Sequence, residues 1–409
     1  MSNSFTEFPI VMLSMSRWDG DFSSASWSLA QTFSEDQVVY YVDYPFTIID
    51  VIREWSTPTV KKRRQSLIRG RSKCHHIPGQ HKNLKFITPA PMLPINWLPP
   101  DSMLYRWLSR FNNLILFRAI KKALKNDGHA ACILFNSFNP LYGYYKPKNL
   151  DIRLFIYQSR DNINALEYYL KKHGSQLEIE AIRAADISYA TSKQLQKDLT
   201  DRSGKQVEFL PNAADIPLFE TARTETLPSP DDISHVKGPI IGYTGNICQR
   251  LDYDLIKYVI SAHPDKSYVF VGPKNFYQHT DIDLDSIPNL YFTGAKNIKA
   301  LPAYLRRFDV LLLPFKCNEL TSRIYPLKIN EYLASGKPVI STNFSRDIQS
   351  FEEVVYIAQD KEAFSKAVQN ALDEDREDMR IHRHQVSTEN SWKKRVEMIR
   401  KQCKSLLSK

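Results

Sequence analysis

The sequence predicts an α/β protein built from two doubly wound domains, and three observations carry that expectation. A chain of 409 residues is too long for one typical domain. Short apolar runs alternate with helix-like segments along both halves, which is the pattern of a parallel sheet. The alternation breaks once, in a polar stretch with several prolines, and then restarts. Apolar residues make up 43% and aromatic residues 12%, enough to build two cores and too much for a disordered chain.

In the first half, residues 9–14 (PIVMLS) form an apolar run suited to a strand buried on both faces. Residues 24–32 read as a helix opened by serines. Further strands are expected at 37–42, 131–135, 153–157, 187–190 and 207–210, with helices at 177–185 and 193–200. Residues 217–239 carry Pro228, Pro230, Gly238 and Pro239 and read as an interdomain linker. Strands then follow at 240–243, 268–271, 290–292, 310–315, 338–341 and 354–357, with helices at 253–261, 298–307, 326–334 and 361–372. The expected division is a domain at 1–216, the linker, and a domain at 240–387. A basic helix within 388–409 could pack back on the first domain.

Lys plus Arg number 55 and Asp plus Glu 45, a net charge of +10 that favours anionic partners. The five cysteines form no CxxC pair, which speaks against zinc and disulfides and for a reducing compartment. His75, His76 and His81 have no convincing partners for a metal site. The N-terminus lacks a basic leader, and no stretch reaches the roughly 20 apolar residues of a membrane span. The expectation is a cytoplasmic protein with at most a peripheral place on the inner face of the cell membrane.

The most informative segment is Ser322 to Thr342, SRIYPLKINEYLASGKPVIST. Pro326 suits the first turn of a helix, and the first-turn N–H groups, with Leu327 among them, offer an anion site. Lys328 adds charge there, and Glu331, three residues on, shares its face. A cation for phosphates and a carboxylate for ribose hydroxyls are what a nucleotide diphosphate requires. An ordinary intrahelical Lys–Glu pair explains the same spacing.

PLKINEYLASGKPVIST resembles the donor-site helix of GT-B glycosyltransferases of the family 4 type. IIGYTGNICQRLDYDLI resembles that family's glycine turn, and VFVGP and NLYFTGAKNIKALPAYLRRFDVLLLPF follow in the family's order. In the first half, LSMSRWDGDFSSASWSLAQTF and YATSKQLQKDL are a looser match. The resemblance implies two Rossmann-like domains facing a central cleft and transfer from a nucleotide sugar with retention and without metal. The nucleotide sugar is then a substrate, and no cofactor is expected. It implies that Glu331 contacts the ribose, that Lys328 and the N–H groups behind Pro326 face the diphosphate, and that Gly245 lets it approach. Gly294 to Asn297 would lie near the base. The family's acidic residue eight positions before the glutamate is Arg323 here, and its cations after the glycine turn are replaced by Asn246, with Arg250 nearest. Arg250 and Arg323 are expected to supply the missing charge, or else to be solvated surface arginines.

The first domain is expected to hold the acceptor, a glycan or a lipid-linked glycan. Asp19 and Gly20 follow the first strand, where ligands meet such sheets. Asp161 follows another strand end and is the candidate base or orienting group, with a helix-capping role as the alternative. Lys61, Lys62, Arg63 and Arg64 open a basic loop without acids up to Asp101, and Trp97 and Trp107 lie nearby. That combination suits an anionic membrane surface; a disordered loop or a nucleic-acid patch are alternatives, and no nucleic-acid motif supports the latter. A nucleotide-sugar epimerase and a non-catalytic membrane scaffold of the same fold remain alternatives to a transferase.

Overall fold

A computed structural model describes residues 5–19, 24–68, 73–76, 79–165, 170–275, 281–373 and 376–407. The chain divides into two units: Met1–Leu210 with Val396–Lys409, and Pro211–Arg395.

The first unit holds β1 (Ile10–Ser14), β2 (Val39–Val42), β3 (Lys73–His75), β4 (Leu84–Thr88), β5 (Ala131–Ser137), β6 (Asp151–Ser159), β7 (Ile187–Ala190) and β8 (Glu208–Phe209). Their order is β3-β4-β2-β1-β5-β6-β7-β8. All neighbours pair in parallel except β3, which runs antiparallel to β4 at the edge. Every residue of β1 and β2 is buried, as their unbroken apolar runs require of central parallel strands. Ser24 caps the helix Ala25–Ser34, its hydroxyl accepting from the Trp27 N–H at 3.2 Å.

The second unit holds β9 (Ile240–Thr244), β10 (Ser267–Val271), β11 (Leu290–Gly294), β12 (Val310–Leu313), β13 (Val339–Thr342) and β14 (Tyr356–Ala358). All pair in parallel, in the order β11-β10-β9-β12-β13-β14. This is the doubly wound order that reverses between its first and fourth strands, β9 and β12. Ligands of such sheets bind at that reversal, beyond the carboxyl ends of the strands. Helix Leu327–Ala334 lies between β12 and β13 in the chain, and the Gly245 turn follows β9.

Two expectations need correction. The linker expected at 217–239 begins with a helix, Ile216–Thr224, whose N-cap is Asp215 and which packs on helices Leu301–Arg307 and Leu327–Ala334. Pro217 sits in its first turn, where a missing N–H costs nothing, and Ile216, Phe219 and Ala222 are buried. The basic loop is also no loop at Lys61–Arg64, which lie on helix Pro58–Ile68. Downstream of it, β3 and β4 complete the sheet edge. In β4, Lys85 interrupts an otherwise buried strand and reaches Asp127 at 2.8 Å, and that charge disguises the strand in the sequence.

Candidate functional site

Helix Leu327–Ala334 opens on Pro326, which supplies no side-chain cap, and its first turn carries no acidic residue. Among the described residues no side chain caps its leading N–H groups. Lys328 in that turn opposes the helix dipole, a local cost that a bound anion relieves. The Lys328 ammonium donates to Glu331 Oε2 at 2.8 Å. Glu331 is buried, its side chain only 4% exposed. Burial raises its pKa above the ordinary value, and the Lys328 charge and hydrogen bond oppose that rise only in part.

Gly245 joins this group. Its φ of 142° lies where side chains are rarely found, and an added Cβ would come within 2.9 Å of the Tyr243 hydroxyl and 3.5 Å of Lys328 Cε. The turn is packed from the other side by Gly272, where an added Cβ would fall 1.8 Å from the Gly245 carbonyl oxygen. Tyr332 ties the helix to β9: the Thr244 N–H donates to its hydroxyl at 2.8 Å, and the hydroxyl donates to the Thr244 carbonyl at 3.2 Å. The expected pair Lys328 and Glu331 and the expected glycine turn thus come together at the sheet reversal. Tyr332, which joins them, carries no sequence signal beyond its place in the helix.

The other expected donor-side residues are spread around this group. Asn246 is exposed and accepts from Asn275 at 2.9 Å. Arg250 accepts through its carbonyl from the Lys316 N–H at 2.9 Å, and its charge acts on the Tyr243 hydroxyl. Arg323 pairs with Glu319 at 3.1 Å. Gly294 has a φ of 71° with open space where a Cβ would be. Asn297 caps a short 3-10 turn, accepting from the Lys299 N–H at 3.0 Å. A groove of about 740 Å³ lies elsewhere in the same unit, lined by Asp252, Tyr258, Lys316, Thr342 and Lys361 among others. None of the expected donor-side residues lines it.

In the first unit, Asp19 gives both carboxylate oxygens to Arg63, at 2.7 and 2.9 Å, and is 3.6 Å from Lys62. Burial works to raise the Asp19 pKa, but the hydrogen bonds and charge of Arg63, with the charge of Lys62, leave it below the ordinary value. Arg63 also donates twice to Asp43, at 2.8 and 3.1 Å. Arg63 is only 3% exposed, which corrects its expected place at a membrane surface: two carboxylates hold it inside. Lys61 and Lys62 are exposed, and Arg64 lies over the Trp55 ring at 4.5 Å. Trp97 is 72% and Trp107 64% exposed.

Asp161 follows β6, and its charge acts on Arg160. The next turn is capped by Asn162, which accepts from the Asn164 N–H at 3.1 Å. Gly20 lies outside the described residues. Sequence reasoning missed Glu178, a buried carboxyl at the end of β6 that accepts from Ser159 at 2.6 Å and Tyr157 at 3.2 Å. It belongs to an amphipathic helix, where a charged residue is expected outside.

Residues 238–374 match the family described as glycosyl transferases group 1. A Bacillus subtilis (strain 168) protein named as a teichuronic acid biosynthesis glycosyltransferase, TuaH, is 27% identical over 197 residues, which are 47% of this chain and 49% of that protein. The match therefore spans about half the length of that relative. The fold is similar to that of sucrose-phosphate synthase from Thermosynechococcus elongatus, with a TM-score of 0.66 and 16% identity over 98% of this chain and 99% of the other. An E. coli trehalose-6-phosphate structure bound with UDP-2-fluoro glucose gives 0.63 and 12%, over 97% and 99%. WaaG, a glycosyltransferase involved in lipopolysaccharide biosynthesis, gives 0.53 and 11%, over 92% and 94%. Residues 238–374, within the second unit, are therefore similar to the glycosyl transferases group 1, and the chain has the two-domain α/β fold of the GT-B glycosyltransferases.

Proposed function

We propose that this chain moves a sugar from a nucleotide-diphosphate donor to a glycan or lipid-linked acceptor. One observation carries the reading: the uncapped amino end of helix Leu327–Ala334, with Lys328 in its first turn, stands beside the Gly245 turn. In glycosyl transfer, negative charge grows on the leaving diphosphate. Helix N–H groups and a fixed cation aimed at that charge lower the barrier, one good donor contributing about 2.7–4 kcal/mol. Glu331 is suited to accept from ribose hydroxyls, and the Lys328 contact works against the rise in pKa that burial imposes on its carboxyl. The resemblance to family 4 enzymes supports retention and a mechanism that draws its positive charge from protein. Asp161 is the carboxylate proposed to orient or deprotonate the acceptor hydroxyl. Names of similar proteins from teichuronic acid and lipopolysaccharide biosynthesis support a cell-surface glycan as acceptor.

An anionic membrane surface is part of the proposal. Of the twelve exposed large hydrophobic side chains among the described residues, eleven lie between Ile48 and Leu114. On helix Met103–Asn126, Leu104, Trp107, Phe111 and Leu114 recur at three- and four-residue steps, so they share a face. The same helix carries six cations and no acid. Among the described residues no helix is long and apolar enough to cross a membrane, so the contact proposed is interfacial.

The test is Glu331→Ala. Nucleotide affinity should fall at least about tenfold, as expected when a charged hydrogen-bond partner is removed, and transfer should be lost. Near-normal turnover by a folded variant would count against the site.

A further inference from the structure

We propose that the first unit contains a subsite for an anionic substituent, a carboxylate or a phosphate, on the acceptor, with Arg160 as the cation that recognises it. The inference rests on the transferase reading and names the chemical class of its acceptor.

The carboxyl ends of β5 and β6 lie side by side, Ser137 in register with Gln158. Phe138 and Asn139 follow the first strand, Arg160 and Asp161 the second. Phe138 has a φ of 64°, a left-handed backbone conformation unusual for a bulky residue. Such strain persists only where the surroundings hold it, and it concentrates at ligand sites. Its effect here is to set an aromatic face below the Arg160 guanidinium, whose carbon is 5.6 Å from the ring centre. Arg160 Nε is closed off from solvent and has no hydrogen-bond partner among the described residues, and the same holds for Asn139 Oδ1. Two adjacent strand ends therefore each present an unanswered polar atom, one a donor and one an acceptor. Buried groups of this kind call for a partner.

Arg63 shows how this fold satisfies a buried arginine when no ligand is involved. Its guanidinium makes five hydrogen bonds, to Asp19, Asp43 and the Thr59 carbonyl. Arg64, Arg223 and Arg400 also leave Nε unpaired among the described residues, yet each donates through a terminal nitrogen to a neighbouring oxygen. No such donation from Arg160 is seen among the described residues. The groups that act on its charge are Tyr41, Asp161 and Tyr157. The Tyr157 hydroxyl is directed at Glu178. A planar guanidinium with free donors, partly dehydrated against an aromatic ring, is built for a carboxylate or a phosphate. Asn139 Oδ1 is suited to a neighbouring sugar hydroxyl.

The test uses the full chain and ligand-observed NMR with three probes: methyl glucoside, methyl glucuronide and glucose 6-phosphate. At least one anionic probe should bind about tenfold or more tightly than the neutral one, and the tighter of the two identifies carboxylate or phosphate as the source. That preference should vanish in Arg160→Gln or Arg160→Met, whichever melts like the parent. Equal binding of all three probes overturns the subsite, as does failure of both anionic probes to bind at millimolar concentration, or a preference unchanged in a folded neutral variant. A nucleoside diphosphate titration of the same samples separates the two readings. Arg160→Gln should keep the parent affinity for nucleotide, whereas a parent chain that binds no nucleotide sinks the transferase reading itself.

Discussion

Glu178 is held inside the first unit by two hydroxyls, from Ser159 and Tyr157. Burial raises its pKa to about 7, against which the Ser159 hydrogen bond, the Arg202 charge and the Tyr157 hydrogen bond act only in part. An unfolded glutamate titrates near 4.5. Between those values the native chain binds a proton that the unfolded chain has released, so stability falls as pH rises from about 4.5 to about 7 and then levels off. Glu178→Gln keeps the acceptor oxygen and removes the charge. It should melt above the parent at pH 8, by about 1–3 kcal/mol of stability, and close to the parent near pH 5. Melts at the two pH values check this, and an equal shift at both would refute it. Chemistry on this scale was legible only where it followed a motif. Lys328 and Glu331 stand out by their spacing, whereas the partner choices of Glu178, Arg63 and Arg160 depend on residues distant in the chain.

The helix that carries Lys328 and Glu331 is short, eight residues from Leu327 to Ala334, so its direction depends on tethers. Tyr332 is the tether to β9. Tyr332→Phe leaves the Thr244 N–H unpaired in a buried place, which should cost about 1–3 kcal/mol. It should also lower nucleotide affinity, because the first turn would no longer be registered against Gly245. Melts and calorimetry check the two effects, and a destabilised variant with unchanged nucleotide affinity would show that the tether has no bearing on the site. Elements were legible where burial is complete: β1, β2, β9 and β12 read directly as apolar runs. β4 was hidden because Lys85 escapes sideways to Asp127, and helix Met103–Asn126 because its apolar residues are divided between the core and an exposed face.

At the scale of the molecule, the first unit gathers all but one of the exposed large hydrophobic side chains among the described residues. The Ile48 N–H donates to the Met92 carbonyl at 2.9 Å, and Asn112 grips both backbone groups of Leu93 at 2.9 and 3.0 Å. These bonds anchor helix Ile48–Arg53 and helix Met103–Asn126 to adjacent residues of one connecting segment. The parent chain should co-sediment with vesicles rich in anionic phospholipid. Replacing Lys61, Lys62 and Arg64 by Gln should weaken that binding on the order of a hundredfold, at about 1 kcal/mol per cation. Trp107→Ser with Phe111→Ser should weaken it while leaving nucleotide affinity intact. A parent chain that stays in the supernatant would end the membrane reading.

Hydrophobic periodicity determined two parallel-sheet units by itself, because a strand buried on both faces must be apolar throughout. Motif order picked out helix Leu327–Ala334 and the Gly245 turn, because these are local features of a continuous chain. Tertiary structure alone decided which charges face inward. Arg63 reads as one of four surface cations in a row and proves to be a buried link between two strand ends, whereas Arg160, unremarked in the sequence, has no hydrogen-bond partner for its guanidinium among the described residues. A charged residue's role depends on which carboxylates the fold brings within about 3 Å of it, and that proximity is not encoded locally.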